Sequence, residues 1–267
     1  MEDKRSFSMN KNFAEIANSA ENARVRAEIW GDFVGWDNRR RGEDGFLVNQ
    51  LKEHRARRIL DVALGDGVDT IYLLQQGFNV SANEVDDAFR RKAVENARSQ
   101  GLTMSPTNLD WRELDRAYQA QSYDAIICLG NSLTCLFEKE DQLAALRQFH
   151  RILRSGGVLL VDERNYQRIL DHREAVLAGT LHSTGNYLYT GTAKVRASFW
   201  EVTDETVTFE LHHLEKGLKA YYRGYPFKKG ELLGLLQEAG FSSVVQYSDY
   251  QPGDNLDADF YQYVCVK

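Results

Sequence analysis

Short apolar runs and longer amphipathic segments alternate through the middle of the chain. The runs RILDVAL, FNVSANE, YDAIICLGN and GVLLVDERN have the length and composition of strands, and LTMSPTNLDW contains a short strand or loop. Between them, apolar positions recur at helical spacing in VDTIYLLQQG, DDAFRRKAVENARSQG and EKEDQLAALRQFHRILRSGG, and each of these segments ends at glycine. This alternation predicts a parallel β-sheet with helices on both faces.

The region before this alternation has a helical pattern of its own. Apolar residues recur at helical spacing from Ile29 to Trp36 and again from Phe46 to Leu51. We interpret this pattern as two helices broken near Gly42. Residues 1 to about 24 lack a clear period, and we expect them to be loosely held or to act as a cap.

After about residue 180 the hydrophobic pattern changes to a period of two. The segment GNYLYTGTAKVRASFWEVTDETVTFELHHLEKGLKAYYRGYPF is rich in β-branched and aromatic residues, which predicts antiparallel strands. Within it, His212 and His213 are most simply a pair of strand residues. KKGELLGLLQEAG then predicts a helix, and FSSVVQYSDY and DFYQYVCVK predict two closing strands.

Composition narrows the class of protein. A chain of 267 residues favours one domain with elaborations over two full domains. Its net charge of -6 argues against holding a nucleic acid by bulk charge. No apolar run approaches the roughly 18 residues of a membrane span, and the N-terminus MEDKRSFSMNKNF is polar, so we expect a cytoplasmic protein without a membrane partner.

Cysteine and histidine usage agrees with this expectation. Cys128, Cys135 and Cys265 are odd in number and lie in apolar surroundings, which predicts buried free thiols of a reducing compartment. The six histidines form no metal-binding spacing with cysteines, so we expect no metal.

The stretch ILDVALGDG is the first candidate for chemistry. Gly65 and Gly67 follow an apolar strand, and a turn without β-carbons lets the backbone approach a ligand. Glu84 ends the next strand about twenty residues later, where a carboxylate can accept hydrogen bonds from ribose hydroxyls. The pattern therefore indicates a nucleotide-type ligand. The alternative is a tight strand–helix turn with Glu84 as a solvated carboxylate.

The loop is not a dinucleotide fingerprint. Val68, Asp69 and Thr70 follow Gly67, so the third glycine of that motif is absent. Asp66 and Asp69 would repel a pyrophosphate, which disfavours nicotinamide cofactors. A cationic ligand with an adenosine half suits this acidic loop better, and S-adenosylmethionine is such a ligand.

Three further segments fit the same ligand. Asp110 can accept from the adenine amine and Trp111 can stack on the purine, although Trp111 could also be a core aromatic. CLGNS ends the fourth predicted strand and faces the same crevice. Arg39 could pair with the methionine carboxylate. From sequence alone, Arg39, Arg40 and Arg41 cannot be told apart, and each could instead lie on a solvated face.

Four segments together carry a family resemblance: WDNRRRGEDGFLVNQL, ILDVALGDG, DAIICLGNSLTCLF and GVLLVDERNYQRILDH. The chain resembles class I S-adenosylmethionine-dependent methyltransferases from about Trp30 to Gly240. Within that class it is most similar to the bacterial glycine/sarcosine N-methyltransferases of betaine synthesis. The resemblance implies an α/β fold, a doubly wound Rossmann-like methyltransferase sheet with helices on both faces and an added antiparallel β segment.

The resemblance also implies site residues. S-adenosylmethionine, which leaves as S-adenosylhomocysteine, would be held by Trp30, Arg39, Ala63, Gly65, Gly67, Glu84, Asp110, Trp111 and Leu129. The small-molecule acceptor would be positioned by Asn131 and Arg164, with Arg164 pairing with an amino acid carboxylate, and by Tyr187 or Tyr189, between which the sequence does not choose.

The chain departs from the family in three places. Asp66 stands where the glycine loop usually has threonine, and Glu84 stands where the ribose acid is more often aspartate. The segment LKAYYRGYPFKKGELL, which normally helps to shape the acceptor site, follows the family only loosely. The resemblance therefore constrains the cofactor more tightly than the acceptor.

Three functions are compatible with these residues. The first is N-methylation of a small amino acid or amine of the glycine/sarcosine type, by in-line transfer from a sulfonium. The second is methylation of another small metabolite on nitrogen or oxygen. The third, a nonenzymatic cofactor-binding module, is disfavoured because LGNS and Arg164 preserve the acceptor side. The oligomeric state cannot be read from the sequence.

We expect four regions. Residues 1–56 form an N-terminal helical cap, and residues 57–179 form the Rossmann-like core that binds S-adenosylmethionine. Residues 180–228 form an antiparallel insertion on the substrate side. Residues 229–267 supply a helix and strands that complete the core.

Overall fold

The computed structural model describes residues 13–181 and 194–267. The helices are α1 (Phe13–Ala17), α2 (Ala20–Val34), α3 (Trp36–Glu43), α4 (Phe46–Glu53), α5 (Val68–Gln75), α6 (Asp87–Ser99), α7 (Lys139–Ile152), α8 (Tyr166–Asp171), α9 (Arg173–Leu177) and α10 (Glu231–Glu238), with 3-10 turns η1 (Trp111–Arg116) and η2 (Ser132–Cys135). The strands are β1 (Arg58–Asp61), β2 (Asn79–Ala82), β3 (Tyr123–Cys128), β4 (Leu153–Arg164), β5 (Val195–Val202), β6 (Val207–His213), β7 (Leu218–Gly224), β8 (Ser243–Ser248), β9 (Gln251–Pro252) and β10 (Phe260–Val266).

Seven strands form the main sheet in the order β2-β1-β3-β4-β10-β8-β9. β1 pairs in parallel with β2 and β3, and β3 pairs in parallel with β4. β10 runs antiparallel between β4 and β8. The connection from β8 to β10 contains the hairpin strand β9 and no helix, which suits an antiparallel return better than a parallel crossover.

The two faces of this sheet bury two different helical layers. Alternate β3 residues point to opposite faces, so Ile126 joins one cluster while Ala125 and Ile127 join the other. α7 and α10 cover the first face, and α4 and α5 cover the second. The expected doubly wound α/β fold is therefore confirmed.

The added β segment is a separate three-stranded antiparallel sheet in the order β5-β6-β7. His212 and His213 lie on its middle strand, as the sequence predicted. The N-terminal helices fasten to it. Asn22 on α2 donates to the carbonyl of Tyr221 at 2.8 Å and accepts from its amide at 2.7 Å. Asp32 contacts His213 at 3.2 Å, so α2 is attached to the small sheet near both of its ends.

The prediction of two N-terminal helices broken near Gly42 is wrong. Four helices are present between residues 13 and 53, and Gly42 lies inside α3. The breaks fall at Gly35, with φ of 62°, and at Gly45, with φ of 77°. A positive φ ends a right-handed helix, and glycine adopts it without steric cost. The segment before residue 24 is likewise helical, with Ser19 capping the start of α2.

One boundary and two short helices differ from the prediction. α7 ends at Ile152, before Gly156 and Gly157, because β4 begins at Leu153 and these glycines exchange backbone hydrogen bonds with Lys267. The short helices α8 and α9 after β4 were not predicted. The segment 102–111, predicted to contain a short strand or loop, is a loop with an isolated bridge between Asn83 and Thr107.

None of the helices between residues 13 and 181 or 194 and 267 is long and apolar enough to cross a membrane. The four-region division of the chain remains a prediction.

Candidate active site

A cavity of about 350 Å³ opens at the carboxyl ends of β1, β2 and β3, where doubly wound folds bind their ligands. Its wall combines the glycine loop, the end of β2, the segment before η1 and the segment after β3. α2 and β7 contribute the opposite side. Seven of the nine predicted cofactor residues line it: Trp30, Ala63, Gly65, Glu84, Asp110, Trp111 and Leu129.

Gly67 does not line this cavity and has a packing role. It has a φ of 95° and begins α5. A β-carbon there would lie 3.1 Å from Ile71 Cδ1 and 3.3 Å from the β-carbon of Ala93. Gly67 therefore lets α6 approach the loop closely, which fixes the floor of the cavity.

Glu84 is held by the loop it faces. Its carboxylate accepts from the amide of Gly65 at 2.8 Å and from the amide of Asp86 at 2.9 Å. Burial raises the pKa of Glu84 to about 7, although these two amides favour the charged form. A carboxylate has about four lone-pair positions, so two remain for ligand hydroxyls.

Asp110 and Trp111 sit side by side at the far end of the cavity. Asp110 receives two hydrogen bonds from the guanidinium of Arg112, at 2.8 and 2.6 Å. The indole of Trp111 donates to the carbonyl of Val62 at 2.6 Å and packs edge-on to Phe149. Trp111 is thus both a core aromatic and a wall of the cavity, which joins the two alternatives left open by the sequence.

Arg39 lies one layer below the cavity and does not line it. Only 3% exposed, it binds Asp69 through two hydrogen bonds, at 3.0 and 2.7 Å, and Asp69 itself lines the cavity. Burial alone would raise the pKa of Asp69, but Arg39 and Arg40 outweigh it and hold that pKa at about 2. The structure thereby separates the three arginines: Arg39 and Arg40 pair with Asp69, and Arg41 is exposed.

A smaller cavity of about 30 Å³ adjoins the first. It shares Trp30, Gly130 and Tyr222 with the larger cavity. Its full lining is Trp30, Phe33, Gly130, Asn131, Arg164, Phe209, Leu211, Tyr222 and Phe260. Both predicted acceptor residues of the core, Asn131 and Arg164, are therefore on this wall, while Tyr187 and Tyr189 lie outside the described residues.

Arg164 ends β4 and projects between two aromatic rings. Its guanidinium carbon lies 4.4 Å from the ring centre of Phe260 and 5.3 Å from that of Phe209. Within the described ranges, no carboxylate lies within salt-bridge distance of Arg164. The candidate partners in the same segment are engaged elsewhere: Asp162 accepts from the Asn131 amide, and Glu163 accepts from Tyr263.

Asn131 positions its neighbours. Its side chain donates to the Tyr166 hydroxyl at 2.7 Å and accepts from the backbone amide of Arg164 at 3.0 Å. Its φ of 62° is left-handed, a conformation that asparagine tolerates better than most residues. Asn131 therefore fixes the turn after β3 and the end of β4 in one arrangement.

Sequence reasoning missed several wall residues. Tyr222 on β7 lines both cavities and donates to the carbonyl of Asn131 at 3.0 Å. Arg26 on α2 pairs with Asp86 at 3.4 Å at the mouth of the larger cavity. The period-two pattern of KAYYRG marked a strand, but it did not indicate which tyrosine faces the cavity.

Cys135 corrects the expectation of three buried thiols. Cys128 and Cys265 are buried and free, whereas Cys135 is free but exposed on the wall of the larger cavity. The reason is that η2 turns its last residue toward the cavity instead of the core. In the described part of the chain, no group of three potential metal ligands is present.

The fold is that of a Rossmann-like methyltransferase, and the comparisons with known proteins show that the chain is an S-adenosylmethionine-dependent methyltransferase. A family described as a methyltransferase domain matches residues 59–157. The solved structure of an S-adenosylmethionine-dependent methyltransferase from Clostridium acetobutylicum aligns with a TM-score of 0.66, covering 90% of this chain and 96% of that one. Its 17% identity supports the shared fold alone.

Relatives at higher identity identify the family. The glycine/sarcosine N-methyltransferase of Halorhodospira halochloris is 34% identical over 239 residues, which cover 89% of this chain and 85% of the relative. That of Aphanothece halophytica is 34% identical over 247 residues, covering 90% and 87%. The chain belongs to the glycine/sarcosine N-methyltransferase family.

Proposed function

We propose that this enzyme methylates the amine of a small amino acid of the glycine or sarcosine type. The observation that carries the proposal is the Arg164 guanidinium, which lies beside the small cavity without a carboxylate partner in the described ranges. Guanidinium groups recognise carboxylates through two parallel hydrogen bonds. An acceptor with a carboxylate would complete this site.

The larger cavity suits S-adenosylmethionine by the chemistry of its donors and acceptors. Glu84 would hold the ribose hydroxyls, Asp110 and Trp111 the adenine, and the loop at Ala63 and Gly65 the methionine end. When bound, the cofactor supplies a methyl group made electrophilic by its sulfonium. The two cavities share a wall, so an acceptor in the small cavity would lie next to this group, which supports direct transfer by proximity.

The acceptor must present an uncharged amine. Of the described residues, none that lines the small cavity is a carboxylate or an imidazole. Burial keeps the pKa of Tyr222 well above its usual value, so this residue remains a neutral phenol. We infer that the apolar wall lowers the pKa of the entering ammonium by desolvation and that its proton leaves to water.

Arg164→Lys tests the acceptor class. Lysine keeps the charge but loses the planar fork, so the KM for glycine should rise at least tenfold while cofactor affinity stays unchanged. Arg168→Lys is the matched control, because Arg168 lies four residues away and pairs with Asp259 outside both cavities.

Methylamine provides the second arm of this experiment. It has an amine but no carboxylate, so the wild-type enzyme should methylate it far more slowly than glycine or sarcosine. Equal rates with methylamine would rule out an amino acid acceptor. If Arg164→Lys weakens cofactor binding by the same factor as it raises the KM for glycine, Arg164 is structural.

We further propose that the enzyme acts in the cytoplasm on free small molecules and binds no nucleic acid. The acidic net charge of -6 and the free thiols Cys128, Cys135 and Cys265 support this setting.

A further inference from the structure

Six carboxylates lie at or directly behind the wall of the larger cavity, and they fall into two groups. Three of them bind arginines: Asp69 binds Arg39 and Arg40, Asp86 binds Arg26, and Asp110 binds Arg112. The other three have no cation within salt-bridge distance among the residues the structure describes: Asp61, Asp66 and Glu84.

Asp66 is the least satisfied of the second group. It is 1% exposed and lines the cavity. Its Oδ2 accepts from the indole of Trp36 at 2.8 Å. Its Oδ1 has the Val68 amide as a neighbour but accepts no hydrogen bond of normal geometry. Asp61, by contrast, uses both oxygens, on Thr70 and on the amide of Ala63.

A buried carboxylate without a cation is costly, since it has lost its water and gained no opposite charge. Burial raises the pKa of Asp66 to about 6, so most of it is still ionised at neutral pH. The charge of Arg39 lowers the pKa of Asp66, but that guanidinium is committed to Asp69. The cavity therefore has surplus negative charge on its loop side before a ligand enters.

We propose that Asp66 selects the charged methyl donor over its uncharged product. S-adenosylmethionine carries a sulfonium, and S-adenosylhomocysteine has a neutral thioether in its place. Their adenosine, ammonium and carboxylate groups are the same, so contacts to those groups cancel in the ratio of the two affinities. The buried negative charge beside the cavity acts on the remaining difference, which is one positive charge.

This role accounts for the departure of the glycine loop from its usual sequence. The loop reads Gly65-Asp66-Gly67, where the resemblance leads one to expect threonine in the middle. Threonine could accept from Trp36 but has no charge. Aspartate at this position thus adds electrostatic preference for the donor while it keeps the contact to α3, and it favours release of the product after transfer.

Titration calorimetry with both ligands tests the proposal without an acceptor present. In Asp66→Asn, an amide oxygen can still accept from Trp36, so only the charge is lost. Affinity for S-adenosylmethionine should fall about tenfold, and affinity for S-adenosylhomocysteine should change less than twofold. Asp66→Thr removes the same charge with a different shape and should shift the ratio of affinities in the same direction and to a similar extent.

Asp87→Asn is the matched control. It changes the net charge by the same amount on an exposed side chain of α6, and its ratio of affinities should remain that of the wild type. Melting temperatures of all variants show whether each one is folded.

Two results would overturn the proposal. Equal weakening of both ligands would make Asp66 a structural support of Trp36, and unchanged affinities for both ligands in the two Asp66 variants would show that its charge does not reach the sulfonium. Because the titrations contain no acceptor, neither result depends on whether glycine or sarcosine is the substrate.

Discussion

The two cavities differ in charge and in how the chain builds them. The cofactor cavity is rich in carboxylates, and most of its wall comes from the single stretch 62–136. The acceptor cavity is mostly aromatic, with one guanidinium, and its walls come from α2, the turn after β3, β4, β6, β7 and β10. Each cavity thus has the charge opposite to the ligand group proposed for it, a sulfonium in one and a carboxylate in the other.

The variant with the largest expected effect removes the ion pair between Arg39 on α3 and Asp69 on the wall of the cofactor cavity. Arg39→Met leaves Asp69 buried with a weaker set of partners, so the free energy of unfolding should fall by about 3 kcal/mol. Chemical denaturation measures this change. Arg41→Met, on the exposed side of the same helix, should change it by less than about 0.5 kcal/mol.

The same pair of variants decides the predicted role of Arg39. If cofactor affinity falls in Arg39→Met while stability does not, Arg39 contacts the cofactor directly and the ion pair with Asp69 is secondary. If the free energy of unfolding falls as expected, the main role of Arg39 is to hold α3 against α5.

Glu84→Ala should weaken cofactor binding without changing the acceptor cavity. It removes hydrogen bonds from a charged acceptor to ligand hydroxyls, each worth roughly 1.5–3 kcal/mol, so cofactor affinity should fall at least tenfold. Calorimetry measures this affinity, and the KM for glycine at saturating cofactor should stay near wild type. Glu95→Ala makes the same chemical change on the exposed face of α6 and should leave both values unchanged.

The difference in construction also explains what the sequence could predict. Gly65 and Glu84 follow the consecutive strands β1 and β2, so their meeting at one sheet edge follows from the strand–helix alternation. Trp111 follows the loop that is bridged to Asn83 at the end of β2, which brings it to the same edge. Phe209 and Tyr222 pair with each other in the small sheet, and Phe260 pairs with Arg164 across the main sheet. A period of two shows that the faces of these strands alternate, but it shows neither how the two sheets meet nor which face lies against Arg164.

The positions of the breaks between the N-terminal helices could not be predicted from the sequence for a related reason. Gly35, Gly42 and Gly45 look alike as letters, and only the first and third adopt a positive φ. Which glycine bends the chain is decided by packing: α2 is tied to the small sheet through Asn22, a contact between residues 199 positions apart. Local patterns do not report such contacts.

Tyr222→Phe should weaken catalysis through the acceptor cavity, by a smaller factor than Glu84→Ala weakens cofactor binding. The ring remains, but the hydroxyl bonds to Thr134 and to the carbonyl of Asn131 are lost. The kcat/KM for glycine should fall about fivefold, equivalent to roughly 1 kcal/mol, with cofactor affinity unchanged. Steady-state kinetics and calorimetry measure the two quantities.

Tyr221→Phe is the control on the neighbouring position. Tyr221 lines neither cavity, and its hydroxyl bonds to Glu210 at 3.1 Å. If this variant lost as much kcat/KM as Tyr222→Phe, the effect would come from the small sheet as a whole and not from the hydroxyl at the cavity.

The smallest expected effect is a pH dependence of cofactor affinity, which arises from the carboxylates of the cofactor cavity. Burial raises the pKa of Glu84 to about 7, above its ordinary value of 4.5, so the folded protein without ligand binds this proton more tightly than the unfolded chain does. The contribution of Glu84 to stability is therefore present at low pH and is lost as pH rises from about 4.5 to 7.

The affinity for the cofactor changes with pH in the opposite direction, because the ionised carboxylate of Glu84 accepts hydrogen bonds from the ligand hydroxyls. For one such carboxyl, affinity should weaken about threefold between pH 7.5 and 6.5. Asp86 and Arg26 face Glu84 on the same wall, and Asp61 and Asp66, with pKa values raised by burial to about 7 and about 6, add to the trend in the same direction. Calorimetry without acceptor measures it, and an affinity that stayed constant or rose toward pH 6.5 would mean that the carboxylates of this cavity do not need to be ionised to bind the donor.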